Sequence, residues 1–101
     1  MAYEVVFSDV ALEHLRALDA RERATLLAAV REQLVHQPTL VTRNRKPMDP
    51  DKRMYVAPFE LRVGRLRMYY AVQEDASRVV VLKVGIKQRE RVIIGGEPFE
   101  L

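Results

Sequence analysis

From Phe59 to Val72, reading FELRVGRLRMYYAV, apolar and polar residues alternate on either side of a glycine. Successive residues of a strand face opposite ways, so this stretch predicts two antiparallel strands turned at Gly64-Arg65. Phe59, Leu61, Val63, Leu66, Met68, Tyr70 and Val72 then share one side, the core. Glu60, Arg62, Arg67 and Tyr69 share the other. A half-buried antiparallel sheet leaves its second face in water, and an arginine-rich open face is the expectation.

Upstream the period changes. Tyr3 to Phe7 is a short β-prone run, followed by Ser8 as an N-cap and a helix carrying Ala11, Leu12, Leu15 and Leu18 on one face. Asp19 with Glu22 three residues on forms an aspartate version of the capping box, and Leu27, Val30 and Leu34 recur at helical spacing until Pro38. Two helices joined this tightly predict an antiparallel hairpin with a shared apolar seam. Thr39 to Arg53 has no sustained periodicity and reads as a loop carrying Arg43, Arg45, Lys46, Lys52 and Arg53.

Downstream, Val79 to Ile86 is a third consecutive strand, with Val80, Leu82, Val84 and Ile86 expected in the core. Lys83 then joins the open face with Val79 and Val81, and Lys87 and Arg89 follow just past Gly85. Arg91 to Ile94, Gly95-Gly96 and Pro98 to Leu101 read as a short strand, a turn and an extended tail.

Composition narrows the function classes. A chain of 101 residues fits one domain, 1–101. The absence of cysteine excludes disulfides and thiolate-held metals, and His14 and His36 lack ligand spacing, so no metal or cofactor is expected. No apolar run approaches the roughly 20 residues of a membrane helix, and no signal pattern opens the chain, so a cytoplasmic protein without a membrane partner is expected. Residues 43–91 hold 13 Lys or Arg against 6 Asp or Glu, a balance of +7, and the remainder holds 4 against 8, a balance of −4. Charge segregated in this way favours a polyanionic partner over a merely solvated surface.

The order strand, helix, helix, basic loop and three antiparallel strands resembles the RelE/ParE superfamily of type II toxin-antitoxin toxins. The residues that carry this resemblance are LRVG-x-x-R-x-x-Y at Leu61 to Tyr70 and the VG followed by basic residues at Val84 to Arg89. It implies an α+β fold with an N-terminal strand and an antiparallel helical hairpin on one face of an antiparallel four-stranded sheet. It also implies a cognate antitoxin as partner. RelE-like members cleave mRNA in the ribosome by attack of a 2′-hydroxyl on the adjacent phosphate. ParE-like members inhibit DNA gyrase without catalysis, and an inactive homologue that only binds RNA or a partner is a third class.

Cleavage requires a base for the 2′-hydroxyl, cations for the pentavalent phosphate and assistance to the leaving oxygen. By the resemblance, Arg62, Arg67 and Lys87 are the catalytic candidates. Arg45, Lys46, Glu60, Tyr69, Lys83 and Arg89 are the RNA-binding candidates. Glu60 stands where the best-known ribonucleases have lysine and reads either as a base or as an ion-pair partner of Arg62 or Arg67. The tyrosine, or histidine-tyrosine pair, that ends the last strand in RelE ribonucleases has no counterpart in Arg91 to Ile94. Tyr69 either stacks a base, assists proton transfer or packs across strands.

Overall fold

The computed structural model describes residues 2–36, 38, 39, 45–47, 59–89, 91–94 and 97–100. The helices begin where capping oxygens stand. Ser8 Oγ accepts from the Ala11 N–H at 3.1 Å and opens α1, Asp9–Ala17. Asp19 accepts from the Glu22 N–H at 2.7 Å while Glu22 accepts from the Asp19 N–H at 3.1 Å, closing the capping box of α2, Ala20–Gln33. Ala11, Leu15 and Leu18 of the first helix segment and Leu26, Val30 and Leu34 of the second are buried against the sheet.

The strands are β1 (Glu4–Phe7), β2 (Arg45–Pro47), β3 (Phe59–Val63), β4 (Leu66–Gln73), β5 (Arg78–Gln88), β6 (Arg91–Ile94) and β7 (Glu97–Glu100). The central hairpin forms as the alternation requires, with Phe59 opposite Tyr70, Leu61 opposite Met68 and Val63 opposite Leu66. Gly64 takes φ +58 at the first turn position, where a side chain would be strained. The sheet runs β2-β3-β4-β5-β6-β7, all antiparallel, and β1 adds in parallel to β5. At eleven residues β5 is long enough for two strands to share its outer edge: β1 pairs Arg78 to Val81, and β6 pairs Gly85 to Gln88.

The architecture is the expected α+β arrangement with both helices on one face, built on a larger, mixed sheet. Three local expectations are corrected. In β5 the core residues are Val79, Val81 and Val84, whereas Leu82 packs with Tyr69 on the opposite face. The cause is a β-bulge: Tyr69 pairs with Lys83 but Tyr70 pairs with Val81, so Leu82 is an extra residue that reverses the facing on either side of it. In α2, Leu26, not singled out by the pattern, is fully buried, and Leu27 is partly buried against the same core. Both 26-30-34 and 27-30-34 are helical spacings, and the pattern alone does not separate them. The stretch read as a loop contains β2; Arg43, Lys52 and Arg53 lie outside the described residues.

Candidate nucleic-acid interface

Register places the candidate residues in rows on the face away from the helices. One row runs Lys46, Glu60, Tyr69, Lys83 across β2 to β5. The next runs Arg62, Arg67, Gly85, Ile94 across β3 to β6. Lys87, opposite Val92, stands one row further along the same face. The structure thus brings Arg62, Arg67, Glu60, Tyr69, Lys83 and Lys87 together.

Two arginines directly opposite across a strand pair repel. Each is drawn off by its own acceptor. Arg62 Nε donates to Glu60 Oε1 at 2.6 Å, two residues away on the same strand, and keeps 43% of its side chain exposed. Arg67 Nη1 turns back and donates to the Gly64 carbonyl at 2.7 Å and the Leu66 carbonyl at 2.8 Å, holding the hairpin turn.

This face is open only in part, which corrects the expectation: Tyr69 is 0% exposed, Glu60 4% and Arg67 8%, while Arg62 and Lys87 reach solvent. Val92 and Ile94 of β6, with Leu82 from the bulge, form a second apolar cluster around Tyr69. Gly85 makes that cover possible. A Cβ at this position would stand 2.5 Å from the Ile93 carbonyl oxygen and 2.8 Å from Ile94 Cγ1. The Tyr69 hydroxyl is enclosed and makes no hydrogen bond of ordinary geometry. Burial foremost, and then the nearby Glu60 carboxylate, push its pKa far above the usual phenol range, so Tyr69 stays a protonated donor.

The other candidates divide. Arg45 shares its row with Leu61 and Met68, on the helix side, where Nη1 donates to the Gln33 carbonyl at the end of α2 at 2.6 Å. It is buried there, apart from the rows above. Lys46 is placed by register only. Lys87 and Arg89 are exposed, and the Lys87 N–H donates to the Arg65 carbonyl at 2.7 Å, bringing the end of β5 against the central turn. Arg89 takes φ +59 at the first position between Gln88 and Arg91, where β5 turns into β6. Among the described residues no group of acidic, histidine or cysteine side chains is placed to hold a metal.

One residue that shapes this face was not legible as such: Gly85 carries no signal beyond its place in VG.

No protein-family model matches the sequence, and a search of the curated proteins finds no match. The fold matches solved structures. The RelBE2 toxin-antitoxin complex of Mycobacterium tuberculosis contains a chain 26% identical, with TM-score 0.71, over 86% of this chain and 100% of that one. A chain of the intact RelBE complex of E. coli is 24% identical with TM-score 0.53 over 87% and 100%. One from the archaeal RelE-RelB complex of Pyrococcus horikoshii is 16% identical with TM-score 0.56 over 88% and 99%.

Proposed function

The chain belongs to the RelE superfamily, and from that footing we propose that it is the toxin of a toxin-antitoxin pair, acting on ribosome-bound mRNA as an endonuclease. Its partners in this reading are a cognate antitoxin protein, the ribosome and mRNA. The observation that carries the nucleic-acid reading is the placement of Arg62 and Arg67 directly opposite each other beside Glu60, on the face away from the helices. A phosphate between the two guanidiniums replaces their repulsion with two charge-assisted contacts.

In this reading Arg62 and Arg67 hold the phosphate as it becomes pentavalent. Glu60, already oriented by Arg62, accepts the proton of the 2′-hydroxyl as that oxygen bonds to phosphorus. The bond from phosphorus to the 5′-oxygen breaks, with the Lys87 ammonium offsetting the charge that develops there and solvent water giving the leaving oxygen the proton that makes it a 5′-hydroxyl. The products are a 2′,3′-cyclic phosphate and a 5′-hydroxyl end. Tyr69 is covered and stays protonated, so it takes no part as a base. Every structure matched above is a RelBE or RelE-RelB complex, and no described feature favours gyrase as the target.

The test is induction in bacteria with RNA 5′-end mapping and DNA supercoiling read from one culture. New 5′-hydroxyl ends within translated messages support the reading, and Arg62→Ala and Arg67→Ala should each suppress them while the fold survives. Glu60→Gln removes the acceptor for the proton and should abolish cleavage without weakening association. Growth arrest with altered supercoiling and intact messages overturns nuclease action.

A further inference from the structure

The outer edge of β5 is shared by two strands, and between them lies a gap. β1 ends opposite Val81 and β6 ends opposite Gly85, so the backbone groups of Leu82 to Val84 on that edge face no strand. Backbone polar groups inside a fold need partners, and here Ser8, the N-cap of α1, and His14 within that helix supply them. The Ser8 N–H donates to the Val81 carbonyl at 2.9 Å, and Ser8 Oγ donates to the Leu82 carbonyl at 3.3 Å. His14 Nδ1 accepts from the Val84 N–H at 3.3 Å.

Only an imidazole with Nδ1 unprotonated can accept that hydrogen bond. The gap coincides with the bulge that sets Lys83 beside Tyr69 in the row facing away from the helices. Lys83 therefore hangs between two backbone groups that α1 holds from the far side. Resting on the nucleic-acid reading above, we propose that His14 is a positioning residue: when neutral it holds the bulge and with it Lys83 on the RNA-binding face, and on protonation it releases both.

The surroundings favour the neutral form. Burial foremost, and then Lys83 of β5, lower the pKa of His14, while Glu13 of its own helix raises it. His14 also lines an open groove with Asp9, Val10, Glu13 and Ala17, through which solvent protons reach it. β1, which also packs on α1, contributes Glu4, and that carboxylate is engaged with Arg78 at 3.1 Å. A protonated His14 would lose the Val84 N–H and stand near the like charge of Lys83.

Two measurements on the intact protein test this. In 15N-resolved NMR spectra recorded from pH 8 to pH 5, the Val84 amide should shift with an inflection below the ordinary imidazole value, and the inflection should vanish in His14→Gln but persist in His36→Gln. Binding of a single-stranded RNA oligonucleotide is the second readout. As pH falls the protein gains positive charge, which by itself tightens binding to RNA. The proposal requires the opposite: weaker binding, and a log-log salt slope smaller by about one as one phosphate contact is lost. His14→Gln, which keeps an acceptor and does not titrate, should show neither change. A Val84 amide without an inflection, or an inflection that survives in His14→Gln, overturns the proposal. Absence of RNA binding at every pH overturns the nucleic-acid reading instead, and the amide titration then decides the role of His14 at the bulge.

Discussion

Gly85→Ala is the substitution whose consequence the structure defines most sharply. The new Cβ would meet the Ile93 carbonyl oxygen at 2.5 Å, Ile94 Cγ1 at 2.8 Å and Val92 Cγ1 at 3.0 Å. Two responses compete. If β6 stays paired, the overlap is absorbed as strain, which for one extra methyl in a packed site costs about 1–3 kcal/mol. If β6 peels away, Val92 and Ile94 lose their burial against Tyr69, at roughly 1.5–3 kcal/mol for each side chain fully exposed. Strain is the smaller cost, so β6 should remain attached and the loss should be about 1–3 kcal/mol. At about 4–8 °C per kcal/mol for a domain near this size, Tm should fall by roughly 5–20 °C. Urea denaturation followed by circular dichroism should show a lower midpoint with an unchanged slope, because no surface is newly exposed in the native state. Hydrogen exchange should show the loosening first in β6, ahead of β1 on the same edge of β5. An unchanged midpoint, or equal loss of protection in β1 and β6, would refute the close approach. Gly64→Ala is the contrast: its Cβ meets nothing within 4 Å, so any loss there comes from the positive φ alone.

The bulge makes Val81 a core residue, and Val81→Ala should cost more than Val80→Ala; a larger loss at Val80 in chemical denaturation would restore simple alternation. His14 binds a proton less tightly in the folded chain than in the unfolded one. Its contribution to stability is therefore complete above an ordinary imidazole pKa of about 6.5 and is lost as pH falls below it, and thermal melts of His14→Gln should lack that step. Arg89→Gly relieves a left-handed backbone but adds freedom to the unfolded chain, so stability should be unchanged or raised by up to about 1 kcal/mol; a larger loss in thermal melts would show that the Arg89 side chain is structurally bound.

The hairpin from Phe59 to Val72 was legible because alternation, turn glycine and register all point the same way. Both helix starts were legible for a similar reason, since Ser8, Asp19 and Glu22 mark them by local chemistry. What alternation could not reveal is the position of a bulge, since Val79 to Val84 is apolar at all but one residue and accepts either facing. The two arginines and Glu60 were placed on the correct face, but their exposure was not predictable. The burial of Tyr69 between them depends on β6, whose Val92 and Ile94 reach it only because Gly85 leaves room. Arg45 illustrates the limit of reading charge by composition. A loop cation in the sequence is, in the fold, a donor to the last turn of α2.

The enclosed hydroxyl of Tyr69 is costly where it stands, and its neighbour Glu60 indicates what it is for. In the free protein the Glu60 carboxylate, 4% exposed, is satisfied by Arg62 at 2.6 Å. In the proposed reading Arg62 turns to a phosphate and leaves that carboxylate without its cation, which is unfavourable because a carboxylate so little exposed is poorly solvated. Binding would be poor unless another donor took over. The Tyr69 hydroxyl lies near Glu60, stays protonated and has no hydrogen bond of ordinary geometry to give up. Tyr69→Phe should thus leave the free protein nearly as stable as before, because a hydroxyl beside Glu60 that makes no hydrogen bond of ordinary geometry contributes little. RNA binding should weaken by about 1.5–3 kcal/mol, the worth of a hydrogen bond to a charged group, and Glu60→Gln should erase that difference by removing the charge. A double-mutant cycle measured by RNA affinity and by urea denaturation separates the two effects. Loss of more than about 1 kcal/mol of stability in Tyr69→Phe would mean the hydroxyl is already bonded at rest, and unchanged affinity would mean that Arg62 does not leave Glu60 to bind phosphate.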